Sequence, residues 1–323
     1  FGVFNNRLRG SIDYYSKKTD ELLDEIFANP FTGFERLFGN AGSIENKGVE
    51  ISLQSLNIDG DFRWSTAFTL GYNENEITAL NSNTNSTDPF DQIIFNRLRV
   101  GHSAFALFAF DFVGLDAEGH PEIRLADGTI TSSRNDVSFD DLVDMGSYQP
   151  KWSGGFTNTF SYKGFTLTAN AIYNLGHVML IDSPALFGQV LEGGQNSFIS
   201  GNVHSDFLNR WRQPGDEANT NVPVHSHDIN TNNNSGYYNF GDINVISASY
   251  IKLRDVSLSY SIPDAILQKI NASQLSFRVM LNNVMLWKDN NKGIDPEFHN
   301  ATSGFRSTPF GQKTITFGIN LTL

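Results

Sequence analysis

Segments of about ten residues, in which apolar and polar side chains alternate strictly, constrain the fold of this chain most. In the clearest segment Trp64, Thr66, Phe68, Leu70 and Tyr72 share one face, opposite Ser65, Ala67, Thr69 and Gly71. The same alternation recurs within 152–162, 165–173, 256–262 and 314–323, and more weakly within 8–14, 49–53 and 275–281. A period of two residues is typical of β-strands with one apolar face. The chain is therefore predicted to be all-β.

The polar face of these segments consists mainly of Ser, Thr, Asn and Gly, and the segment ends are rich in aromatic residues. A soluble β-sandwich turns its apolar faces inward and often carries charged residues outside. A membrane barrel turns apolar side chains towards lipid, polar ones towards the lumen, and aromatic ones towards the interfaces. Tilted strands of about ten residues can span a bilayer. The pattern alone leaves both architectures open, at about equal weight.

The lengths of the connections favour the barrel. Tight turns are predicted at Asp59-Gly60 and Lys163-Gly164, and one helical turn within 263–272, whereas the connection at about 176–249 is very long. Outer-membrane barrels have short periplasmic turns and long extracellular loops. With short turns on the periplasmic side, both chain ends are periplasmic and the span from Asn73 to Pro150 must hold an even number of barrel strands. Candidates are 93–100 with 104–113, or 104–113 with 122–125, which gives about ten strands in total.

Composition excludes several classes of function. The absence of Cys excludes disulfides, Cys-ligated zinc, iron–sulfur clusters and thiol nucleophiles. The net charge of −12 argues against broad nucleic-acid binding. The longest apolar run, 104–110, has seven residues, whereas a membrane helix needs about 20. The start at Phe1, without Met, suggests a processed or partial chain.

Several segments, in order and spacing, are those of a known family. They are Gly42 to Ile51, Leu70 to Leu80, Gly146 to Phe165, Asn209 to Trp211 with Pro214 to Asp216, Ser249 to Pro263, Asn282-Asn283, Gly293 to Glu297 and the closing strand. With these stretches the chain resembles the C-terminal barrel half of SusC/RagA-type TonB-dependent outer-membrane transporters. The resemblance implies an antiparallel transmembrane β-barrel of 22 strands, of which this chain supplies about the last ten, without the plug domain.

The resemblance also implies a function in the cell outer membrane, with no enzyme activity and no cofactor. It implies TonB-energised uptake of oligosaccharides or oligopeptides under a SusD-like lipoprotein lid. Expected partners are the N-terminal barrel half and plug, TonB through that plug, the glycan or peptide substrate, and membrane lipid with lipopolysaccharide, but no nucleic acid. The chain by itself is not expected to transport. Two alternatives stay open: a SusC-like barrel acting as a scaffold in a larger outer-membrane complex, and a secreted all-β glycan-binding module.

Aromatic residues in the long connection are the candidates for contact with substrate or lid. Trp211, beside Arg210, could stack on a sugar ring or dock the lid, although packing of the loop against the barrel rim is the favoured interpretation. Tyr237, Tyr238 and Phe240 form a second patch, and 31–38 a third.

Polar residues of the loops offer only weak candidates for metal binding or catalysis. His225, His227 and Asp228 are possible metal ligands, but a solvated loop is preferred and no metal site is predicted. Asp206, Asp216 and Glu217 could act as an acid–base pair, yet nothing indicates burial, so no catalytic residues are predicted. The stretches 116–121 and 127–128 are predicted to be turns.

Overall fold

The structure is a computed structural model that describes residues 1–27, 31, 33, 36–80, 98–181, 205–224, 235–298 and 313–323. Its strands are β1 Gly2–Val3, β2 Leu8–Phe27, β3 Arg36–Ile58, β4 Phe62–Leu80, β5 Ala106–Leu115, β6 Pro121–Arg124, β7 Ile130–Thr131, β8 Leu142–Ser147, β9 Trp152–Tyr162, β10 Phe165–Leu175, β11 Val178–Leu180, β12 Val245–Ser247, β13 Tyr250–Ser261, β14 Gln274–Lys288 and β15 Thr314–Thr322. The α-helices are α1 Ser235–Asn239 and α2 Asp264–Leu267. Among the described residues, no helix is long and apolar enough to cross a membrane.

Nine strands form one antiparallel sheet, here the main sheet, in the order β1-β2-β3-β4-β9-β10-β13-β14-β15. Each strand of this sheet lies beside the next strand of the same sheet in chain order, as in an up-and-down barrel wall. The sheet matches the predicted all-β architecture and, with β1 only two residues long, comes close to the predicted ten strands. β2, β3 and β4 have 20, 23 and 19 residues, so they extend well beyond the predicted segments.

The register divides the main sheet into an apolar and a polar face. One row of paired residues on the apolar face is almost entirely aromatic: Phe62, Tyr162, Phe165, Tyr260 and Phe277, ending at Ile319. A second aromatic row, Tyr14, Val49, Tyr72 and Trp152, crosses the other end of the same face. Between the two rows the face carries mostly Leu, Ile, Val, Phe and Ala. The two rows have the arrangement of the aromatic girdles of a membrane barrel.

The spacing of the aromatic rows fits a bilayer. Phe62 and Tyr72 lie ten residues apart on β4. At about 3.4 Å per residue and a strand tilt of about 40°, ten residues rise about 26 Å. The apolar band of an outer-membrane barrel is about 25 Å tall. Beyond the Tyr72 row the same face turns charged, with Lys47 beside Glu74 and Glu45 beside Glu76, as expected at the level of lipid headgroups.

The apolar face is not buried against another sheet. Phe165, Phe277 and Phe317 are 48%, 43% and 78% exposed. A β-sandwich would bury these rows between its two sheets. The soluble sandwich, which the sequence pattern left open, therefore does not describe the residues that the structure places.

Short turns gather at one end of the main sheet. Lys163 and Gly164 both have positive φ angles, 45° and 85°, as a two-residue type I′ hairpin turn requires. Asp59–Asp61 joins β3 to β4, and α2 supplies the predicted helical turn between β13 and β14. The first residues of β2 and the last residues of β15 lie at this same short-turn end, which confirms that both ends of the chain lie on one side.

The strand candidates between Asn73 and Pro150 were wrong as barrel strands. β4 pairs directly with β9, from Phe62 with Tyr162 to Tyr72 with Trp152, so zero strands intervene, which satisfies the predicted even number. Candidate 104–113 forms β5, and 122–125 overlaps β6; both belong to a separate sheet ordered β7-β6-β5-β8. Leu98 to Val100 is not a strand, and 93–97 lies outside the described residues.

The burial of β5 explains why it is not a strand of the barrel wall. Its first five residues, Ala106 to Phe110, are all buried, and a strand buried on both faces has no reason to alternate. This small sheet packs with β11, β12, α1 and residues 205–224 into one unit at the long-connection end of the main sheet. We call residues 98–147, 178–181, 205–224 and 235–247 the loop subdomain.

Candidate functional site

The polar face of the main sheet carries hydrogen-bonded rows of small polar side chains. Thr157 donates to Asn170 at 3.1 Å, and the Asn170 amide donates to Asp255 at 3.3 Å. In the same row the Asn282 amide donates to Thr314 at 3.0 Å. Such a surface retains spare donors and acceptors for water or for a polar solute. It has the chemistry of the lumen wall of a barrel.

An ionic cluster on the polar face joins two of the quoted sequence segments. Lys252 on β13 is 1% exposed, and its Nζ lies 2.9 Å from Asp295 Oδ2 and 2.6 Å from Glu297 Oε2. Arg254 Nη2 lies 2.5 Å from the other Glu297 oxygen. Two cations and two anions balance the cluster, as a buried lysine requires.

The cluster determines the ionisation of Glu297. Burial alone would raise the pKa of Glu297, but hydrogen bonds from Lys252 and Arg254 outweigh burial, and the pKa lies below its ordinary value. Nearby, Lys288 Nζ donates to the Ile294 carbonyl at 3.0 Å. The segment 293–297 is thereby fastened to the inside of the wall. Sequence reasoning named both segments, Ser249 to Pro263 and Gly293 to Glu297, but did not predict that they are in contact.

The loop subdomain has a hydrophobic core of its own. One cluster contains Ala106, Phe108, Phe110, Ile123, Val137, Leu142 and Tyr237. A second contains Phe112, Leu115, Trp211, Val222 and Tyr238. β5 contributes to both clusters, so the described residues of two distant connections, within 98–147 and 205–247, fold together around one strand. The subdomain is therefore a packed unit and can present a defined surface at this end of the sheet.

Trp211 is part of that core. The favoured interpretation of the sequence was that Trp211 packs the loop against the barrel rim, and in the structure it packs inside the loop subdomain. The indole is 9% exposed and its Nε1 donates to Glu217 Oε2 at 3.0 Å. A Cβ on Gly119, whose φ is +82°, would come within 2.4 Å of the ring, so only glycine fits beneath it. Arg210 stacks its guanidinium over the Phe207 ring at 4.2 Å. In this arrangement the Trp211 ring is not presented to a ligand.

Tyr237 and Tyr238 are buried as well, at 0% and 6% exposure. Tyr237 packs edge-on against Phe110 and donates its hydroxyl to the Ser133 carbonyl at 3.1 Å. Burial raises the pKa of Tyr238 to about 12. Phe240 is half-buried against the first cluster. The predicted contact residues thus come together in one subdomain, mostly inside it, and their role towards a lid or substrate stays a prediction.

The loop carboxylates serve as local structural acceptors. Asp216 Oδ2 accepts the backbone N–H groups of Arg212 and Gln213 at 3.0 and 3.1 Å. Asp242 accepts the Phe112 N–H at 3.2 Å, and Asp116 closes the predicted turn by accepting the His120 N–H at 2.8 Å. In the described part of the chain no group of three ligands is placed to hold a metal ion. His225, His227 and Asp228 lie outside that part.

A pocket of about 210 Å³ lies where the loop subdomain meets β4. His102 Nδ1 lies 2.7 Å from Asp144 Oδ2, and Lys151 lies 3.2 Å from Glu74. The His102 carbonyl accepts the Ile77 N–H at 2.9 Å, and the Gly101 N–H donates to the Ile77 carbonyl at 2.9 Å. These backbone hydrogen bonds hold the loop subdomain to the part of β4 that does not pair with β9. No sequence pattern predicts this pair, because His102 and Asp144 are 42 residues apart in the chain.

Comparison with known proteins matches almost the whole chain. TonB-dependent receptor P3 of Formosa agariphila is 27% identical over 99% of this chain and 33% of its own length. TonB-dependent receptor SusC of Bacteroides thetaiotaomicron is 25% identical over 100% of this chain and 31% of its own length. No family model matches. Over almost its whole length, the chain is similar to TonB-dependent receptors, SusC among them.

Solved structures support the same SusC-type fold. The chain superposes on the structure of the RagAB peptide transporter with a TM-score of 0.71 and 24% identity, over 100% of this chain and 34% of that one. The RagAB peptide importer in its closed-closed state gives a TM-score of 0.72. The chain spans about a third of the length of its SusC-type relatives, which fits the C-terminal barrel portion predicted from its motifs.

Proposed function

We propose that this chain forms a wall portion of a nutrient importer of the outer membrane, related to SusC. The main sheet carries the proposal, because one face is apolar and its two aromatic rows are separated by about the thickness of the apolar band of an outer-membrane barrel. The similarity to TonB-dependent receptors supports it. Hydrocarbon would face Phe, Leu and Val, and solute would pass along the Thr and Asn rows. The short-turn end is then periplasmic, and the loop subdomain is extracellular.

The partners and substrate follow from the relatives. We infer that the wall closes with further strands of the same importer around a plug that TonB pulls, because an open sheet edge in lipid leaves unpaired backbone groups. A SusD-like lipoprotein would close the outer mouth against the loop subdomain. In this arrangement the buried Trp211, Tyr237 and Tyr238 stabilise the loop subdomain. The partly exposed Arg210 and Phe240 are the candidates for direct contact with the lid or the substrate. Oligopeptides are the favoured substrate, because the superposed RagAB structures are of a peptide transporter, and oligosaccharides are the alternative.

Fractionation of the producing cells tests the location. An antibody against 205–224 should detect the protein in the outer-membrane fraction, and the same antibody should bind to the surface of intact cells. Detection in the culture supernatant would point to a secreted module instead.

Uptake tests the activity. Cells with and without the gene are given fluorescently labelled oligopeptides or oligosaccharides of matched size, and a protonophore removes the energy that TonB transmits. Gene-dependent, energy-dependent uptake of one class supports import and names the class. An outer-membrane protein whose deletion changes neither uptake would favour the scaffold role.

A further inference from the structure

A groove lined by three arginines lies on the polar face at the short-turn end of the main sheet. Its volume is about 430 Å³, and Arg7, Arg9 and Arg63 line it together with Gln54, Ser65, Thr157 and Thr159. We call it the arginine groove. No Asp or Glu is among its lining residues, although the whole chain has a net charge of −12. A local reversal of charge of this kind favours an anionic ligand.

Neutral acceptors orient two of the three guanidinium groups, and the third has a weak ion pair. Arg7 donates to the Leu56 and Asn57 carbonyls at 3.2 and 2.8 Å, which fixes its orientation without compensating its charge. Arg9 donates through Nε to Gln54 Oε1 at 3.1 Å, and among the described residues its two terminal nitrogens have no partner. Arg63 lies 3.8 Å from Asp59 in an exposed pair, which is weak.

Arg7 and Arg9 are one row apart at the beginning of β2, and Arg63 faces them from β4, two strands away. Arg9 is in register with Gln54 and Ala67. Arg7 is bonded to Leu56, which is in register with Ser65, and Arg63 lies one row further. Each row is two residues from the next, a step of about 7 Å. Alternate side chains of an extended peptide repeat at the same step of about 7 Å.

From this match of charge and spacing we propose that the arginine groove binds acidic oligopeptides. The ligand is an extended peptide with carboxylates at alternate positions. Carboxylates at alternate positions pair with Arg7 and Arg9, Arg63 reaches a further carboxylate from β4, and the hydroxyls of Ser65, Thr157 and Thr159 donate to the peptide carbonyls. The groove is too large for a single phosphate or carboxylate, and its volume is in the range of sites for small organic ligands. The proposal rests on the proposed import function, in which the groove faces the lumen near the periplasmic exit.

Titration of the purified full-length protein in detergent tests the proposal. The probe is the pentapeptide Glu-Ala-Glu-Ala-Glu, compared with Gln-Ala-Gln-Ala-Gln, with Ala-Ala-Glu-Glu-Glu and with inorganic phosphate. We expect the alternating acidic peptide to bind most tightly and to weaken as salt is raised. Arg9→Gln and Arg63→Gln should each weaken it about tenfold, the loss expected for one hydrogen bond to a charged group.

Arg278→Gln is the matched control. Arg278 lies on the same polar face in the row of Arg63, reached through Ser161, Thr166 and Ser259, but it does not line the groove. Its replacement should leave binding unchanged. The proposal would be overturned if the Gln peptide or phosphate bound as tightly as the alternating acidic peptide, or if this acidic peptide did not bind. It would also be overturned if the Arg9→Gln and Arg63→Gln proteins bound the acidic peptide as tightly as the unchanged protein. Outer-membrane location and uptake of neutral solutes would then still support import, so the two failures are distinguishable.

Discussion

A pair of adjacent arginine substitutions tests which face of the main sheet meets lipid. Val256 and Ser257 are neighbours on β13 and point to opposite faces, because Val256 pairs with Ala169 on the apolar face and Ser257 with Thr168 on the polar face. Val256→Arg would place a charge in hydrocarbon, whereas Ser257→Arg would place it in a wet lumen. The two variants lie on the same strand at nearly the same depth, and both introduce an arginine.

The depth of Val256 sets the expected magnitude. It lies four residues from Tyr260 of the lower aromatic row, which is about 10 Å of rise at a tilt of about 40°. In a band of about 25 Å this position is near the midplane, where arginine on the lipid face of a barrel costs about 2–4 kcal/mol. At about 1.4 kcal/mol per tenfold change, Val256→Arg should reduce the folding equilibrium constant by about a hundredfold. Ser257→Arg should cost less than about 1 kcal/mol.

Reversible unfolding of the full-length protein from lipid vesicles in guanidinium chloride measures both values. The folded fraction is followed by tryptophan fluorescence and by protease protection of the wall. Equal costs for the two variants, or a larger cost for Ser257→Arg, would mean that the apolar rows do not face hydrocarbon. The membrane orientation and the import function proposed on it would then both be untenable.

Three further predictions concern separate parts of the molecule. Lys252→Met leaves two carboxylates without their buried partner, so hydrogen exchange in 289–298 should accelerate about a hundredfold or more, for a loss of about 3–5 kcal/mol. In the unchanged protein the same segment should loosen as the pH falls below the ordinary value of 4.5 and through the lowered pKa of Glu297, because stability from a depressed carboxyl pKa is present above that window. Gly154→Ala brings a Cβ within 2.1 Å of the Thr69 carbonyl and should cost about 1–3 kcal/mol in unfolding experiments, whereas Gly155→Ala, with a nearest contact of 3.4 Å, should cost far less. Trp211→Ala should expose the loop subdomain to protease through a loss of about 3–5 kcal/mol, whereas Leu208→Ala, at a site 71% exposed, should leave cleavage unchanged.

Sequence reasoning was accurate where each residue's environment is set locally. β9 runs from Trp152 to Tyr162, as the alternation predicts, and β10 from Phe165 to Leu175. The two-residue turn between them was visible because Lys163-Gly164 separates two alternating runs without a gap. Alternation failed to mark the far halves of β2, β3 and β4, because beyond the aromatic row both faces meet water or the loop subdomain.

The candidate site was only partly predictable, because its contacts are long-range. The ionic cluster joins Lys252 to Asp295 and Glu297, 43 and 45 residues away. The arginine groove brings Arg9 close to Thr157 across four strands, through the register of β2, β3, β4 and β9. Such contacts depend on which strands are neighbours, and the sequence pattern determines faces rather than neighbours. The direct pairing of β4 with β9 brings the two sides of the arginine groove together, whereas the ionic cluster depends on how 293–297 returns to β13.

The same residue type serves opposite purposes in the two parts of the chain, and pattern rather than composition separates them. Phe165 and Phe317 lie exposed on the apolar face, where lipid would cover them, whereas Phe108 and Phe110 are 2% and 0% exposed inside the loop subdomain. In the wall, apolar residues recur at every second position because only one face is apolar. In β5 they follow one another, because both faces are packed against protein. The uninterrupted run from Ala104 to Phe110 is therefore the sequence feature that marks a strand of a water-excluding core, although the segment 104–113 was predicted as a candidate strand of the barrel wall.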